Sequence, residues 1–261
     1  MMIRTEHIRT EHIRIEKQDG ATVVWLDRPE RRNALTGGMN RALGEAVAVA
    51  GADPDCRCVV IRGTGDHFCA GRDLEQAARQ EGLEGIVADS AEYTAIYEAL
   101  HRLSKPSVAV VRGYAVAGGF TLAMGCDFVL ADTTARFGAL EMRGGFPAAV
   151  NTAILTHLAG PRRALELLLS QEVFPAEDLH AMGLLNRLAE DTKSLETMAE
   201  AFVKGLVALD PLAVRMTKEM HRAAKGMALD DALVMAGQLN ALLVAGGKFG
   251  EGAAKFAGRK K

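Results

Sequence analysis

Short apolar runs alternate, over the first ~150 residues, with stretches whose apolar residues recur at helical spacing. Continuous apolar runs at 58–61, 108–111 and 128–131 predict strands, the first of them buried. Strands of this kind that alternate with helices are typical of a parallel sheet with helical crossovers. The predicted fold class is therefore α/β.

Weaker signals place further elements around these runs. Residues 13–16 and 21–26 predict two strands joined by a turn, because β-branched residues are frequent in both. Helical spacing over 36–50 predicts a helix with Thr36 as its N-cap. A short helix is predicted near 121–124, after a glycine-containing loop.

The remaining pattern is mainly helical. The spacing over 76–103 predicts a helix that breaks around Gly82 and Gly85 and ends before Pro106. From about residue 150 onward the chain is predicted to be nearly all helical, since the helical period dominates there.

The chain divides into three predicted segments. Residues 1–12 form an N-terminal extension in which Ile-Arg-Thr-Glu-His occurs at 3–7 and again at 8–12. A five-residue repeat fits neither the helix nor the strand period, so we expect this extension to be extended or disordered. Residues 13–200 form the core, and residues 201–261 form a helical C-terminal region.

Composition excludes several functional classes. The 261 residues include 49% hydrophobic and 25% charged residues, which is typical of a soluble globular protein. The net charge of −2 gives no general attraction to nucleic acids or to anionic membranes, so neither is expected as a partner. The four cysteines lack a zinc spacing and are interpreted as reduced thiols of a cytoplasmic protein.

Two glycine-containing loops carry the clearest functional signal. Residues 67–74 follow the apolar run at 58–61, and residues 112–121 follow the run at 108–111. Glycine lets the backbone turn sharply and brings its N–H groups close to a ligand. Two such loops can direct two N–H donors at one developing oxyanion.

A series of segments in a fixed order identifies the chain further. They are Leu26-Asp-Arg-Pro-Glu-Arg-Arg-Asn-Ala-Leu35, Val59-Val-Ile-Arg-Gly63, Phe68-Cys-Ala-Gly-Arg-Asp-Leu74, Lys105-Pro106, Gly113-Tyr-Ala-Val-Ala-Gly-Gly119, Ala123-Met-Gly-Cys-Asp127, Ala135-Arg-Phe-Gly138, Glu141, residues 176–185 and Glu251-Gly-Ala-Ala-Lys-Phe256. With these segments the chain resembles the enoyl-CoA hydratase/isomerase (crotonase) superfamily over nearly its whole length. The resemblance implies a crotonase-like spiral of β-β-α units and a helical C-terminal region that forms a homotrimer, or a hexamer made of two trimers.

The resemblance also implies a catalytic site for acyl-CoA thioesters. The backbone N–H groups of Arg72 and Gly118 would hold the thioester oxygen and stabilise an enolate. Glu141 would transfer the proton at the α carbon, and its apolar surroundings favour a raised pKa. Coenzyme A enters only as part of the substrate, so no metal and no further cofactor are expected.

Residues that bind the coenzyme A part follow from the same resemblance. The backbone around Ala70, Asp73 and Leu74 would contact the adenine end, and Arg31 and Arg32 would lie near the phosphates. For the Arg72 side chain, contact with a phosphate and exposure to solvent are both open. Glu141 could instead form a surface ion pair with Arg143.

One departure from the family leaves the reaction open. In the hydratases that the chain resembles, two glutamates hold the attacking water, and the first of them corresponds to Thr121. A threonine hydroxyl can hold water or substrate but cannot shuttle a proton at neutral pH. The remaining Glu141 is compatible with hydration or with double-bond isomerisation of an enoyl-CoA. A non-catalytic acyl-CoA-binding or RNA-binding homologue is the alternative function.

Overall fold

Ten strands and nine helices are found in the residues that the computed structural model describes, which are 7–10, 12–79, 82–247 and 250. The strands are β1 (His7–Thr10), β2 (Ile13–Gln18), β3 (Ala21–Leu26), β4 (Cys58–Gly63), β5 (Ser107–Val111), β6 (Tyr114–Val116), β7 (Phe128–Asp132), β8 (Arg136–Gly138), β9 (Phe174–Pro175) and β10 (Arg187–Ala189). The helices are α1 (Gly37–Ala52), α2 (Leu74–Ala77), α3 (Gly82–Arg102), α4 (Gly118–Gly125), α5 (Ala149–Leu169), α6 (Ala176–Ala181), α7 (Thr192–Val207), α8 (Pro211–Ala224) and α9 (Leu229–Ala245).

The strands form two sheets. The larger has the order β1-β2-β3-β4-β5-β7-β10, antiparallel from β1 to β3 and parallel from β3 to β10. The smaller has the order β6-β8-β9. The strands β5 and β7 are neighbours in the larger sheet, although β6 and α4 lie between them in the chain. This connection leaves the larger sheet, so that β6 joins the smaller sheet instead. The α/β prediction is confirmed.

Both faces of the larger sheet are covered, which explains the continuous apolar runs. On β4, Val59 and Ile61 belong to one core cluster, while Cys58 and Val60 belong to another on the opposite face. This alternation follows from the two-residue period of a strand. The second cluster is closed by α7, whose Leu195 and Ala199 pack onto it.

Several sequence predictions agree with these elements. The strands predicted at 13–16, 21–26, 58–61, 108–111 and 128–131 correspond to β2, β3, β4, β5 and β7. Thr36 caps α1, since its side chain accepts a hydrogen bond from the Met39 N–H at 3.1 Å.

Other predictions need correction. Gly82 does stand at a helix start, with a positive φ of 75°, but Gly85 lies inside α3, so the predicted break there is wrong. The nearly all-helical prediction after residue 150 missed β9 and β10, because strands of two and three residues carry no periodicity. The predicted N-terminal extension is not among these corrections, since its residues His7–Thr10 are extended, in a strand that pairs with β2, and 1–6 and 11 lie outside the described residues.

The chain divides into two units at Leu209 and Asp210. The predicted boundary after residue 200 falls inside α7, which runs to Val207. The first unit therefore ends later than predicted, after this helix is complete. The second unit contains α8 and α9, and the Asp210 carboxylate caps α8 by accepting from the Ala213 N–H at 3.0 Å. Among the helices of the described segments, none is long and apolar enough to cross a membrane.

Gly119 lies where the second glycine loop packs directly against the backbone of the first. A Cβ at this position would overlap with the carbonyl oxygen of Cys69, which is backbone and cannot move aside. Gly119→Ala is therefore expected to destabilise the protein by at least ~2 kcal/mol in urea unfolding, as overpacking of a buried site does.

Gly205→Ala is the matched control. Gly205 lies in α7, and nothing in the described residues comes within 4 Å of a Cβ built there. Since alanine favours a helix over glycine, this variant should gain about 0.5–1 kcal/mol. Equal stability of the two variants would show that the loops can separate at no cost.

Candidate functional site

The two glycine loops run side by side and are joined by backbone hydrogen bonds. The Cys69 N–H donates to the Tyr114 carbonyl at 2.9 Å, and the Val116 N–H donates to the Cys69 carbonyl at 3.0 Å. Gly71 has a φ of 96°, a conformation that favours glycine. A Cβ built on Gly71 would lie 3.0 Å from the Gly118 nitrogen. The predicted juxtaposition of the two loops is therefore present in the structure.

The backbone N–H groups of Arg72 and Gly118 form what we call the donor pair. A Cβ built on Gly118 would lie 3.4 Å from the Arg72 nitrogen, so the two donors border the same space. Within the described part of the chain, neither N–H has a backbone carbonyl as its acceptor. Gly118 opens α4, and the positive end of the helix dipole adds to the field there. The pair is suited to holding a negatively charged oxygen.

Ala117 aims the Gly118 N–H by adopting a strained conformation. Its φ of 49° and ψ of −123° are unusual for any residue other than glycine, and such strain costs about 1–3 kcal/mol. Hydrogen bonds hold the residue at both ends. Its N–H donates to the Gly138 carbonyl at 2.7 Å, and its carbonyl accepts from the Thr121 N–H and Oγ1, both at 3.1 Å.

Glu141 begins the short 3-10 helix Glu141–Gly144 and is partly buried. Its Oε1 accepts a hydrogen bond from Asn151 at 2.9 Å, while its buried Oε2 has no partner in the described residues. Burial raises the pKa of this carboxyl, and the Asn151 hydrogen bond only partly opposes that effect. The alternative of an ion pair with Arg143 is wrong, because the Arg143 guanidinium donates to the Gln171 carbonyl instead.

Asn151 connects Glu141 to the donor pair, and the sequence analysis missed it. Its side chain is fully buried on α5, and its Nδ2 donates to both Glu141 Oε1 and the Ala117 carbonyl, the latter at 3.2 Å. Asn151 shares the buried face of α5 with Leu155, four residues further on. A polar residue on an otherwise apolar helix face is the signal that could have identified it.

The predicted coenzyme A residues lie together along a second backbone pairing. The Ala70 N–H donates to the Arg32 carbonyl at 2.9 Å, and the Asp73 N–H donates to the Leu35 carbonyl at 2.8 Å. This pairing fixes the segment that contains Arg31 beside the first glycine loop. The positions named from the resemblance are thus brought to one edge of the donor pair.

The side chains of these residues are not equally available. Asp73 pairs with Arg28 at 2.6 Å and caps α2, and the Arg28 hydrogen bond lowers the pKa of Asp73, so its carboxylate is used within the structure. Leu74 is 59% exposed. Arg31 forms an exposed ion pair with Glu75 at 3.2 Å, and the Arg32 guanidinium lies 5.5 Å from the centre of the Tyr114 ring.

The Arg72 side chain lies against α3. Its guanidinium forms an ion pair with Asp89 and lies 5.1 Å from the centre of the Tyr93 ring. The side chain is thus held within the structure while 33% of it stays exposed, and its contact with a phosphate and its exposure to solvent both stay predictions. No local pattern in the sequence indicates this ion pair, because its partners lie in a loop and in a helix that only the fold brings together.

Thr121 is fully buried and its Oγ1 donates to the Ala117 carbonyl. The hydroxyls of Tyr93 and Tyr97 lie close to it, and the Tyr97 hydroxyl donates to the Gly118 carbonyl at 3.4 Å. Cys69 lies in the first glycine loop, where its Sγ accepts a hydrogen bond from the Gly71 N–H at 3.4 Å. Burial raises the pKa of this thiol to about 12. In the described residues no three His, Cys, Asp or Glu side chains are grouped so as to hold a metal ion.

Comparison with known proteins places the chain in a family. The family described as enoyl-CoA hydratase/isomerase matches residues 16–261. A Thermus thermophilus protein named as an enoyl-CoA hydratase is 38% identical over 236 residues, covering 90% of this chain and 93% of that protein. The crotonyl-CoA hydratase of Syntrophomonas wolfei is 32% identical over 222 residues, covering 83% and 82% of the two chains.

Solved structures give the same result. An enoyl-CoA hydratase from Polaromonas sp. JS666 superposes with a TM-score of 0.87 at 31% identity, covering 95% of this chain and 97% of that one. The enoyl-CoA hydratase of Mycobacterium smegmatis has a TM-score of 0.84 at 31% identity, covering 89% and 91%. The crotonase-type fold implied by the resemblance is confirmed.

The burial of Glu141 has a testable effect on stability. Because the folded-state pKa is raised, the contribution of this carboxyl to stability is fully present below its ordinary pKa and is lost as pH rises through the raised value. Glu141→Gln removes the buried charge, so the variant should melt at a higher temperature than the wild type at pH 7. The difference should shrink toward pH 4.

Glu45→Gln is the control for this stability experiment. Glu45 is exposed on α1, so its replacement should change the free energy of unfolding by less than about 0.5 kcal/mol at either pH. A Glu141→Gln protein that is less stable than the wild type at pH 7 would contradict the effect of burial.

Proposed function

Because the chain belongs to the enoyl-CoA hydratase/isomerase family, we propose that it binds an enoyl-CoA thioester and stabilises its enolate with the N–H groups of Arg72 and Gly118. Glu141 then transfers the proton at the α carbon. One observation carries this proposal. The donor pair and the carboxyl of raised pKa are tied to the same strained turn at Ala117, through Asn151.

The donor pair acts on the charge that develops during the reaction. When the thioester becomes an enolate, negative charge moves onto its oxygen, and fixed N–H donors need no reorganisation to receive it. Loss of one such donor typically costs about 3–4 kcal/mol of transition-state stabilisation. The strain at Ala117 is compensated by its hydrogen bonds, which keep the Gly118 N–H in position before substrate arrives.

Glu141 is suited to proton transfer because its pKa is shifted toward neutral pH. As a carboxylate it removes a proton, and as a carboxylic acid it returns one to carbon. Asn151 holds Oε1 and leaves Oε2 without a protein partner in the described residues. Because Oε2 is buried, the carboxyl group must turn or its cover must move before this oxygen meets a water molecule or the α carbon.

We propose hydration as the reaction. A water oxygen adds to the β carbon of a 2-enoyl-CoA, and Glu141 moves the water's proton to the α carbon, so that one water is consumed. The names of the relatives and structural neighbours support this reaction. Isomerisation is the second candidate, because Thr121 carries no carboxyl and Glu141 alone can move a proton between the α and γ carbons.

The coenzyme A part is proposed to lie along Arg31, Arg32 and the backbone of 70–74. The Asp73 carboxylate is occupied by Arg28, so this residue would contribute backbone groups only.

We also propose self-association through the C-terminal region. Several large apolar side chains of α9 are exposed and support this: Leu229, Leu233, Val234, Leu242 and Val244.

Labelled water separates the two reactions and tests Glu141. In oxygen-18 water the wild type should convert a trans-2-enoyl-CoA into a product that is heavier by one labelled water, as read by mass spectrometry. Glu141→Gln should lower kcat by about 10²-fold or more, since general acid–base catalysis contributes that much. Glu45→Gln should retain wild-type turnover.

The outcomes of this experiment exclude each other. An unlabelled product formed from a 3-enoyl-CoA, without hydration of the 2-enoyl-CoA, would replace hydration by isomerisation. A Glu141→Gln protein with full turnover would refute the assignment of Glu141 altogether.

The pH dependence tests the link between Asn151 and Glu141. The acid limb of kcat/KM should lie above the pH expected for an ordinary glutamate, because the active carboxylate is lost as pH falls through a raised pKa. Asn151→Ala removes a hydrogen bond that stabilises the carboxylate, so the limb should move to still higher pH.

Asn40→Ala is the matched control for this pH profile. Asn40 is the other buried asparagine with an unpaired Oδ1 among the described residues, and it lies on α1. Its replacement can lower stability but should leave the acid limb where it is. An unmoved limb in Asn151→Ala would show that this asparagine does not act on the catalytic carboxyl.

A further inference from the structure

A buried tyrosine hydroxyl faces the donor pair. Tyr93 is only 7% exposed, and its hydroxyl lies 2.8 Å from the position that a Cβ on Gly118 would occupy. The Arg72 nitrogen lies 3.4 Å from the same position. The space left free by the glycine is therefore bordered by the hydroxyl as well as by the donor pair.

The side on which this hydroxyl lies is the side that receives a ligand oxygen. In an α-helix the Cα–Cβ bond tilts toward the N-terminus, and the backbone N–H groups point in the same general direction. Gly118 is the first residue of α4, so a Cβ built on it marks the side toward which its N–H points. An oxygen bound by that N–H would therefore lie on the same side of Gly118 as the Tyr93 hydroxyl.

The Tyr93 ring is fixed by contacts on two sides. Its centre lies 5.1 Å from that of Tyr97 in an edge-to-face arrangement, which is a favourable geometry for aromatic rings. The Arg72 guanidinium lies 5.1 Å away over the ring and is itself held by Asp89. A phenol held in this way keeps its hydroxyl in one place, as a preorganised donor requires.

The hydroxyl stays protonated and its proton can be redirected. Burial raises the pKa of Tyr93, and the negative charge of Glu141 raises it further, so the group is a neutral donor over the whole neutral range. The neighbouring Thr121 and Tyr97 hydroxyls give their own protons to the Ala117 and Gly118 carbonyls, so each has only lone pairs left with which to accept a hydrogen bond. The Tyr93 proton can turn from such a neighbour to a substrate oxygen.

We propose that Tyr93 is a catalytic residue whose hydroxyl donates a third hydrogen bond to the thioester oxygen, alongside the N–H groups of Arg72 and Gly118. The proposal rests on the proposed function, because it assigns the oxygen that those two groups hold. Tyr93 keeps its proton throughout and stabilises the enolate by donation alone. Glu141 remains the group that moves a proton to or from carbon.

Tyr93→Phe tests the proposal with the ring left in place. We expect kcat for hydration to fall by about 10²-fold, as for the loss of one oxyanion donor, while KM changes by less than about threefold. Exchange of the α protons of a saturated acyl-CoA in deuterated water should fall by the same factor, since it requires the enolate but no addition of water. Tyr114→Phe is the control, because it removes the hydroxyl of an exposed tyrosine and keeps the ring beside Arg32, and it should match the wild type in both reactions.

The two reactions distinguish the possible roles of the hydroxyl. If hydration falls but α-proton exchange does not, Tyr93 acts on the water and the proposal is overturned. If neither falls, the hydroxyl only packs and the proposal is overturned as well. If the wild type shows neither hydration nor exchange, the proposed function fails, and the next measurement still tests Tyr93.

A spectroscopic probe reads the hydrogen bond without turnover. A 4-dimethylaminocinnamoyl-CoA absorbs at longer wavelength when hydrogen bonds polarise its thioester carbonyl. The red shift on binding should be smaller with Tyr93→Phe than with the wild type or Tyr114→Phe, at equal saturation. An unchanged red shift would overturn the proposal whatever the activity of the variant, and circular dichroism verifies that the variant is folded.

Discussion

The close approach of two backbone segments, without side chains between them, is the constraint on which the rest of this structure depends. Cys69 donates a hydrogen bond to the Tyr114 carbonyl and accepts one from the Val116 N–H across the two glycine loops, and Gly119 must lack a Cβ for that contact to form. The larger sheet supplies the rigid support, because β4 and β5 each lead into one of these loops. Everything that gives the site its chemistry, from the donor pair to the strained turn at Ala117, follows from holding these segments at that distance.

Stability and function oppose each other at two points of the site. Ala117 adopts a conformation that costs free energy, and Glu141 buries a carboxyl oxygen without a protein partner in the described residues. Asn151 stabilises both residues, since its amide group donates hydrogen bonds to the Ala117 carbonyl and to the Glu141 carboxyl. A single buried asparagine therefore couples the shape of the donor pair to the charge of the proton-transfer group.

The sequence predicted the fold where the pattern reflects burial and failed where contacts are purely tertiary. Apolar runs located β4, β5 and β7 because both faces of these strands are covered, and the glycines located the loops because their backbone needs them. The ion pair of Arg72 with Asp89 left no local trace, since it joins a loop to a helix, and Asn151 left only a polar position on an apolar helix face, which does not indicate its partners. Without the resemblance, neither spacing nor composition could have predicted which residues contact Glu141.

The burial of Cys69 has a consequence for how motion of this region can be observed. Its thiol lies inside the paired loops, fully buried, and its pKa of about 12 leaves almost no thiolate at neutral pH. An alkylating reagent can reach this sulfur only when the two loops separate. The rate at which this thiol is alkylated therefore reports the local opening of the paired loops, and a ligand that bridges the loops should lower that rate.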